Sequence, residues 1–417
     1  MIYIHIPYCK SFCTYCGFHS EIHGTGMAGF VDALRAEIRS RSGEIAASAG
    51  LPVPEGTLYV GGGTPSLLSP EELYSIVAEI SDIQERSRPA PAGKARESGN
   101  GLRRFREFTI EVNPDDIAAK GVQYVKMLKE IGVNRVSMGV QSMNDGVLEW
   151  MNRRHRTETS REAYRILMAG GLENVGIDLI FGMGAAPRAD GRPSPDPEQE
   201  RASGREWEET VREALAISGD GRPPKHVSAY QLSADGGSAL SEMLASGKYV
   251  EASDESCARQ YGFLCRTMRA AGYRHYEISN FAQPGYEALH NSAYWNHVPY
   301  VGLGPAAHSL TVCGGKFIRS WNAADNAAYI HAAGTGDFAG IRESETLTDE
   351  QAATEKIMLP LRTDAGVSRD FLENSPERRR RTEKLIAAGM LEETGGNRLR
   401  IPEKHFFVSD SIIAELV

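Results

Sequence analysis

Four scarcities narrow the field before any motif is read. No stretch of the 417-residue chain approaches the roughly 18–20 uninterrupted apolar residues of a membrane-spanning helix. The opening MIYIHIPYCK has no basic segment followed by a long apolar run, so no signal peptide is read there and a cytoplasmic setting is expected. Positive charge is in deficit: 46 Lys and Arg against 55 Asp and Glu leave a net charge of −9, which argues against a nucleic-acid surface as the main business. Cysteine is sparse too, six in all, and a chain this long buries a full core without covalent staples, so a disulfide framework is not expected. The 41% hydrophobic content is that of an ordinary globular protein.

What cysteine there is lies in a telling place. Cys9, Cys13 and Cys16 form a C-x3-C-x2-C triplet directly after a strand-like apolar run. Three thiolates closing on a four-iron cube leave one iron without a protein ligand, free to bind and activate a small molecule, whereas four would build an electron-transfer site. A structural zinc ion would need a fourth ligand, for which only His5 and His19 are near. Cys257, Cys265 and Cys313 show no ligand spacing among themselves and read as buried free thiols.

Strand-like runs at 2–7, 57–60, 108–112, 135–140, 175–181 and 227–232 alternate with amphipathic stretches at 27–45, 70–80, 117–131 and 160–169. That rhythm predicts βαβ units and a parallel sheet, six units of which fit a partial α/β barrel with its functional residues at the C-terminal strand ends. Two segments, 84–106 and 185–205, are rich in Pro, Gly, Ser and charge, and read as flexible surface insertions without a catalytic role. From 345 onward a helical pattern leads into KLIAAGMLEETGGNRLRIPEKHFFVSDSIIAEL, which reads as helix, β-hairpin, helix: a winged-helix-like tail. Its four consecutive arginines, Arg378 to Arg381, sit beside Glu377 and Glu383 and read as a solvated helix face. The expected division is a core at 1–235, a barrel extension at 236–340 and a C-terminal α+β domain at 341–417.

Other motifs fall at predicted strand ends. Gly61-Gly62-Gly63-Thr64-Pro65 is either a tight turn or a place where backbone passes close to a ligand; without a following Gly-Lys-Ser/Thr it is no nucleotide P-loop. Glu111 could pair with a hydroxyl or an ammonium group, Gln141 offers donor and acceptor, and Arg153 a planar fork. Further on, His290-Asn291-x-x-Tyr294-Trp295 combines a candidate axial heme ligand with flat aromatic surface, the plain alternative being a hydrogen-bonded structural histidine. GLGPAAHS, with His308, superficially copies a dinucleotide fingerprint but lacks its βαβ context.

YIHIPYCKSFCTYCGF resembles the cluster motif of the radical S-adenosylmethionine (SAM) superfamily, and Y-I-H-I-P more narrowly resembles the anaerobic coproporphyrinogen III oxidase family with its heme-chaperone branch, HemW. The oxidase motif usually continues C-x3-C-x2-C-x-C, whereas Gly17 and Phe18 follow Cys16 here, and only Met1 and Ile2 precede Tyr3; both departures favour the chaperone branch. The resemblance implies a partial (β/α)6 radical-SAM barrel and a [4Fe–4S] cluster on Cys9, Cys13 and Cys16. It implies a SAM site of Tyr3, Gly61, Gly62, Gly63, Thr64, Glu111, Gln141, Arg153 and Asp178, and heme association at His290, Asn291, Tyr294 and Trp295. In such proteins an electron cleaves a carbon–sulfur bond of SAM to give methionine and a 5′-deoxyadenosyl radical.

The expected function is a heme chaperone that passes heme to an acceptor protein, with a flavodoxin- or ferredoxin-type electron donor if SAM is cleaved and with peripheral membrane contact left open. The alternative is the oxygen-independent oxidase that decarboxylates two propionates of coproporphyrinogen III; a third reading, a DNA-binding iron–sulfur sensor using the winged tail, is disfavoured by the net charge. Residue 18 and the HNSAYW segment discriminate the first two.

Overall fold

The computed structural model describes residues 1–22, 26–48, 56–87, 102, 105–185, 196–219 and 221–417. Six parallel strands run side by side in chain order: Ile2–Ile6, Thr57–Gly62, Glu107–Val112, Arg135–Gln141, Val175–Phe181 and His226–Gln231. Helices cross between them, as parallel neighbours require. The sheet grows at both edges. Asn280–Ala282 and Arg274–Glu277 add antiparallel to the sixth strand, and Val301–Leu303 returns to pair in parallel with the first.

Within each barrel strand the two-residue period divides the faces. Val136, Met138 and Val140 are buried against the covering helices, while Arg135, Ser137, Gly139 and Gln141 line the interior. Such a strand reads as an unbroken buried run because both of its faces are covered. The amphipathic stretch at 27–45 is two helices, Met27–Ser40 and Ser42–Ser48, interrupted where the Arg41 side chain turns into the core. Helix Pro114–Ile131 begins earlier than its apolar period because Pro114 occupies the first turn, where no N–H is needed.

A buried ionic knot secures the returning edge. Glu37, fully buried on the first helix, accepts from Tyr329 Oη (2.6 Å), Gly304 N (2.9 Å), Asn322 Nδ2 (2.9 Å), Arg342 Nη2 (3.2 Å) and Arg41 Nη1 (3.3 Å). These donors satisfy the lone pairs of a charge that would be prohibitive alone.

The C-terminal part contains helix Asp349–Leu361, a three-stranded antiparallel sheet ordered Val367–Ser368, Arg398–Arg400, Glu392–Thr394, and helix Pro376–Ala387. Its apolar residues Leu372, Leu385, Leu399 and Phe406 join the same hydrophobic cluster as the barrel's. The arginine run is engaged locally: Arg381 pairs with Glu377, Arg379 with Glu373, and Arg378 donates to the Leu416 carbonyl.

Two expectations need correction. Residues 84–87 continue helix Pro70–Ser87, and Pro197–Ala216 is a helix through 197–205, capped by Asp196 and anchored by buried Trp207; the polar composition there reflects its exposed face. The rest of the two segments, apart from 102, 105, 106, 185 and 196, lies outside the described residues. Cys257 and Cys265 are buried free thiols, but Cys313, at the tip of the hairpin His308–Cys313 and Lys316–Asn322, is exposed. No helix among the described residues is long and apolar enough to cross a membrane.

Candidate functional site

The first barrel strand delivers Cys9 to the C-terminal mouth, and the loop that follows folds back with Cys13 and Cys16. Its shape is held from several sides: Thr14 N and Oγ1 donate to the carbonyls of Met151 (3.1 Å) and Trp150 (2.8 Å), Leu240 N donates to Thr14 O (2.8 Å), and Asn152 Nδ2 donates to Phe12 O (2.7 Å). All three thiols are free, partly exposed and on the wall of one cavity of about 670 Å³, within the range of small-molecule and cofactor sites. His5 does not stand as a fourth ligand, because both of its ring nitrogens are engaged. His5 donates through Nε2 to the His19 carbonyl (2.9 Å) and accepts from the Tyr3 hydroxyl at Nδ1 (3.0 Å), burial pushing its pKa down to about 4, and His19 Nε2 is bonded to Asn326 (3.0 Å).

The triple glycine is required by what surrounds it. A Cβ at Gly61 would lie 2.9 Å from Glu111 Oε1, one at Gly62 2.7 Å from the His5 ring, and one at Gly63 2.6 Å from the Tyr8 carbonyl and 3.0 Å from Cys9 Sγ. Gly62 also has φ +110°, open to glycine and few others. The second strand end is thereby pressed against the cysteine loop, and Thr64 Oγ1 reaches Cys9 Sγ at 3.5 Å.

Deeper in the cavity stand two half-buried carboxylates. Glu111 accepts from Tyr59 Oη (2.7 Å) and Gly62 N (3.0 Å), and Asp178 from Ser137 Oγ (3.0 Å). Burial pushes Glu111 up to about 7 against these hydrogen bonds, with Asp178 adding repulsion; Asp178 is raised as well, again by burial. Such a pair is suited to a ligand carrying positive charge. Gln141 reaches the cavity through a bulge and a left-handed backbone (φ +66°), a strain that a non-glycine residue bears mainly where its side chain is used.

Arg153 is half-buried, donating to Asn113 Oδ1 (2.7 Å), Gly139 O (2.9 Å) and Cys13 Sγ (3.3 Å), and it thereby braces the cysteine loop. Its Nε has no partner, nor has the buried Thr109 Oγ1 on the same wall. Three unpaired thiols, a glycine cradle, orphaned polar atoms and two carboxylates are the donor set that a three-cysteine cluster and a cationic, carboxylate-bearing ligand need. Tyr3 and Gly61 stand one layer behind the wall, the former against His5 and Tyr59.

The histidine expected to approach heme is placed otherwise. His290 opens helix Leu289–Trp295 fully buried, with Nδ1 bonded to Thr57 Oγ1 (2.8 Å) and Nε2 to Tyr294 Oη (2.9 Å). Burial pushes its pKa down to about 3, and with both ring nitrogens engaged neither is available to iron in this arrangement. Of the four residues only Asn291 lines the cavity; Tyr294 packs edge-on against Tyr300 and Trp295 is half-buried. His308 is exposed and stacked on Trp321.

Sequence reading missed Tyr59, Asn113, Ser137, Ser228 and Tyr230, all on the cavity wall. Stepping by two from Glu111 gives Asn113 and Thr109, and from Asp178 Ile180; a period-two count from each recognised residue would have found most of this face. The aromatic rim was also missed: Phe12 (52% exposed) and Phe18 (68% exposed) stand at the mouth, and isolated apolar letters in a cysteine loop carry no periodic signal.

The Radical SAM superfamily pattern matches residues 3–189. The chain is 31% identical over 368 residues to the heme chaperone HemW of Bacillus subtilis, covering 88% of this chain and 84% of that protein. To the heme chaperone HemW of Escherichia coli it is 30% identical over 321 residues, covering 76% and 72%. Among solved structures, the radical SAM enzyme coproporphyrinogen III oxidase (HemN) of Escherichia coli superposes with a TM-score of 0.72 at 18% identity, over 100% of this chain and 89% of that one, a likeness of fold.

Proposed function

From a chain that belongs to the HemW family of radical SAM proteins, we propose a heme chaperone that holds a [4Fe–4S] cluster, S-adenosyl-L-methionine and heme, and delivers heme to an acceptor protein. Cys9, Cys13 and Cys16 would hold the cluster, and together with SAM it would supply one-electron chemistry when a flavodoxin- or ferredoxin-type donor is present. The protein's own part is positional. Arg153 fixes Cys13 and keeps cationic charge beside the thiolates, Gly62, Gly63 and Thr64 bring backbone to the cavity floor with Gly61 behind them, and Glu111, Gln141 and Asp178 offer acceptors to a cationic ligand.

One observation carries the choice of chaperone over oxidase. At residue 18, where the oxidase motif has its additional cysteine, this chain presents an exposed phenylalanine that shares the cavity mouth with Phe12. Two aromatic faces at an open rim suit a flat apolar macrocycle, whose burial against them is worth several kcal/mol. We place heme there and give His290 a supporting role, holding Thr57 and Tyr294 beneath the second strand.

The test is a heme titration followed by the Soret band, paired with an oxidase assay. About one heme per chain is expected, weakened at least tenfold in Phe12→Ser/Phe18→Ser, with the Soret position unchanged in His290→Ala. SAM-dependent decarboxylation of coproporphyrinogen III by the purified protein would overturn the chaperone reading. A Soret shift confined to His290→Ala would return the axial ligand to that residue.

A further inference from the structure

Away from the cavity, three metal-seeking side chains from three elements converge. Cys265 comes from helix Asp254–Ala270, His275 from the edge strand Arg274–Glu277, and Glu403 from the 3-10 segment Glu403–Val408. Nδ1 of His275 lies 3.8 Å from Cys265 Sγ and 3.0 Å from Glu403 Oε1, and all three donor atoms fall within 4.8 Å of one another. Around a tetrahedral zinc ion with bonds of about 2.0–2.3 Å, adjacent donors stand about 3.3–3.6 Å apart, so only small shifts separate this arrangement from a coordination shell.

The proton inventory points the same way. Tyr261 spends its hydroxyl proton on the Ile278 carbonyl (2.7 Å). Nε2 of His275 is 3.3 Å from that hydroxyl oxygen and 3.4 Å from that carbonyl, so Nε2 faces acceptors and is the nitrogen that carries hydrogen in the neutral ring. Nδ1 therefore turns a lone pair toward a carboxylate oxygen. A thiol proton from Cys265 can satisfy Nδ1 but leaves Glu403 Oε1 facing a lone pair; a cation among the three satisfies all of them. The ring cannot easily turn away, being stacked on Phe281 (centroids 4.0 Å apart, 19°) and edge-on to Phe406 (5.0 Å, 70°). Arg269 holds the outer side of Glu403, whose side chain is 26% exposed and leaves a way in for a solvent ligand.

We propose that Cys265, His275 and Glu403 form a structural zinc(II) site, with water as the fourth ligand, fastening the C-terminal part of the chain to the antiparallel edge of the barrel. Thiolate, imidazole and carboxylate together suit zinc better than calcium or magnesium. On binding, the thiol proton leaves to solvent and no electron moves. Zinc here is separate from the iron of the cluster in both place and ligands.

Cluster-loaded protein purified under nitrogen from zinc-supplemented cells is assayed for iron and zinc separately by elemental analysis. About one zinc per chain is expected, retained in Cys13→Ala and Cys257→Ala and reduced at least tenfold in Cys265→Ala. Zinc that disappears with Cys13 instead, or no zinc in any form, would overturn the site and leave His275 and Glu403 as neighbours without a metal. Should Cys265→Ala fail to fold, the Cys9→Ala/Cys13→Ala/Cys16→Ala protein is titrated with cobalt(II) alone. One equivalent giving a thiolate-to-cobalt charge-transfer band supports the site, and its absence refutes it.

Discussion

Replacing Glu111 by Gln should make the folded protein less sensitive to pH, and the size of the effect follows from the cavity. A glutamate ordinarily titrates near 4.5, whereas burial and Asp178 carry Glu111 up to about 7. Between those two values the folded chain keeps a proton that the unfolded chain has released, so stability falls as pH rises through the window and is level above it. At about 1.4 kcal/mol for each tenfold change, ionised Glu111 costs the empty fold about 3 kcal/mol, of which about 2 kcal/mol develops between pH 5.5 and 8. Glutamine can still serve Tyr59 or Gly62 but carries no charge. Urea unfolding of the cofactor-free protein at five pH values from 5.5 to 8 should give a wild-type stability that declines relative to Glu111→Gln by about that amount. Asp178→Asn should lower the pH at which the decline occurs, since it removes a repelling neighbour. Parallel curves for wild type and Glu111→Gln would show that Glu111 ionises like a surface carboxylate, and the account of a cation-seeking cavity floor would fail. The corollary concerns binding: a cationic ligand favours the ionised carboxylate, so SAM should bind more tightly as pH rises through about 7 and take up this dependence from Glu111.

Two further substitutions test the frame around the site. Gly63→Ala places a methyl group 2.6 Å from the Tyr8 carbonyl and 3.0 Å from Cys9 Sγ, so iron and sulfide content after reconstitution should drop sharply and stability by about 1–3 kcal/mol; full cluster occupancy would refute the close-packing argument. Glu37→Ala removes the acceptor of five hydrogen bonds and leaves Arg41 buried beside a void, predicting a loss of about 3 kcal/mol or more in urea unfolding, against under 1 kcal/mol if the knot were solvated.

The parts of this molecule legible in sequence are those with a period or a motif. The six barrel strands were visible because each is buried on both faces, and Cys9, Cys13 and Cys16 because their spacing is specific. Glu111, Gln141, Arg153 and Asp178 were marked by strand ends and resemblance, and they do meet on one cavity. What stayed hidden has physical reasons. Helix Pro197–Ala216 has a polar first half that mimics linker composition, and its buried side is marked only from Trp207 on, by that residue with Thr210, Val211 and Ala214. His290 was read for its chemistry, but its position under the second strand depends on Thr57, 233 residues earlier. Likewise Cys265 showed no ligand spacing, because His275 lies ten residues on from it and Glu403 a further 128, brought near only by tertiary folding.

The pairing of Val301–Leu303 with the first strand bears on how the protein is made. Of the two hydrogen-bonding edges of Ile2–Ile6, one finds its partner within about sixty residues and the other only after about three hundred more have been added. At about 5–20 residues per second that is a wait of roughly 15–60 s. For that interval the strand leading into the cysteine loop has a bare edge, the kind of surface that recruits foreign strands. Completion of the sheet is thus ordered by topology: the Glu37 knot and the closing strand must form before the cysteine loop has a finished wall behind it.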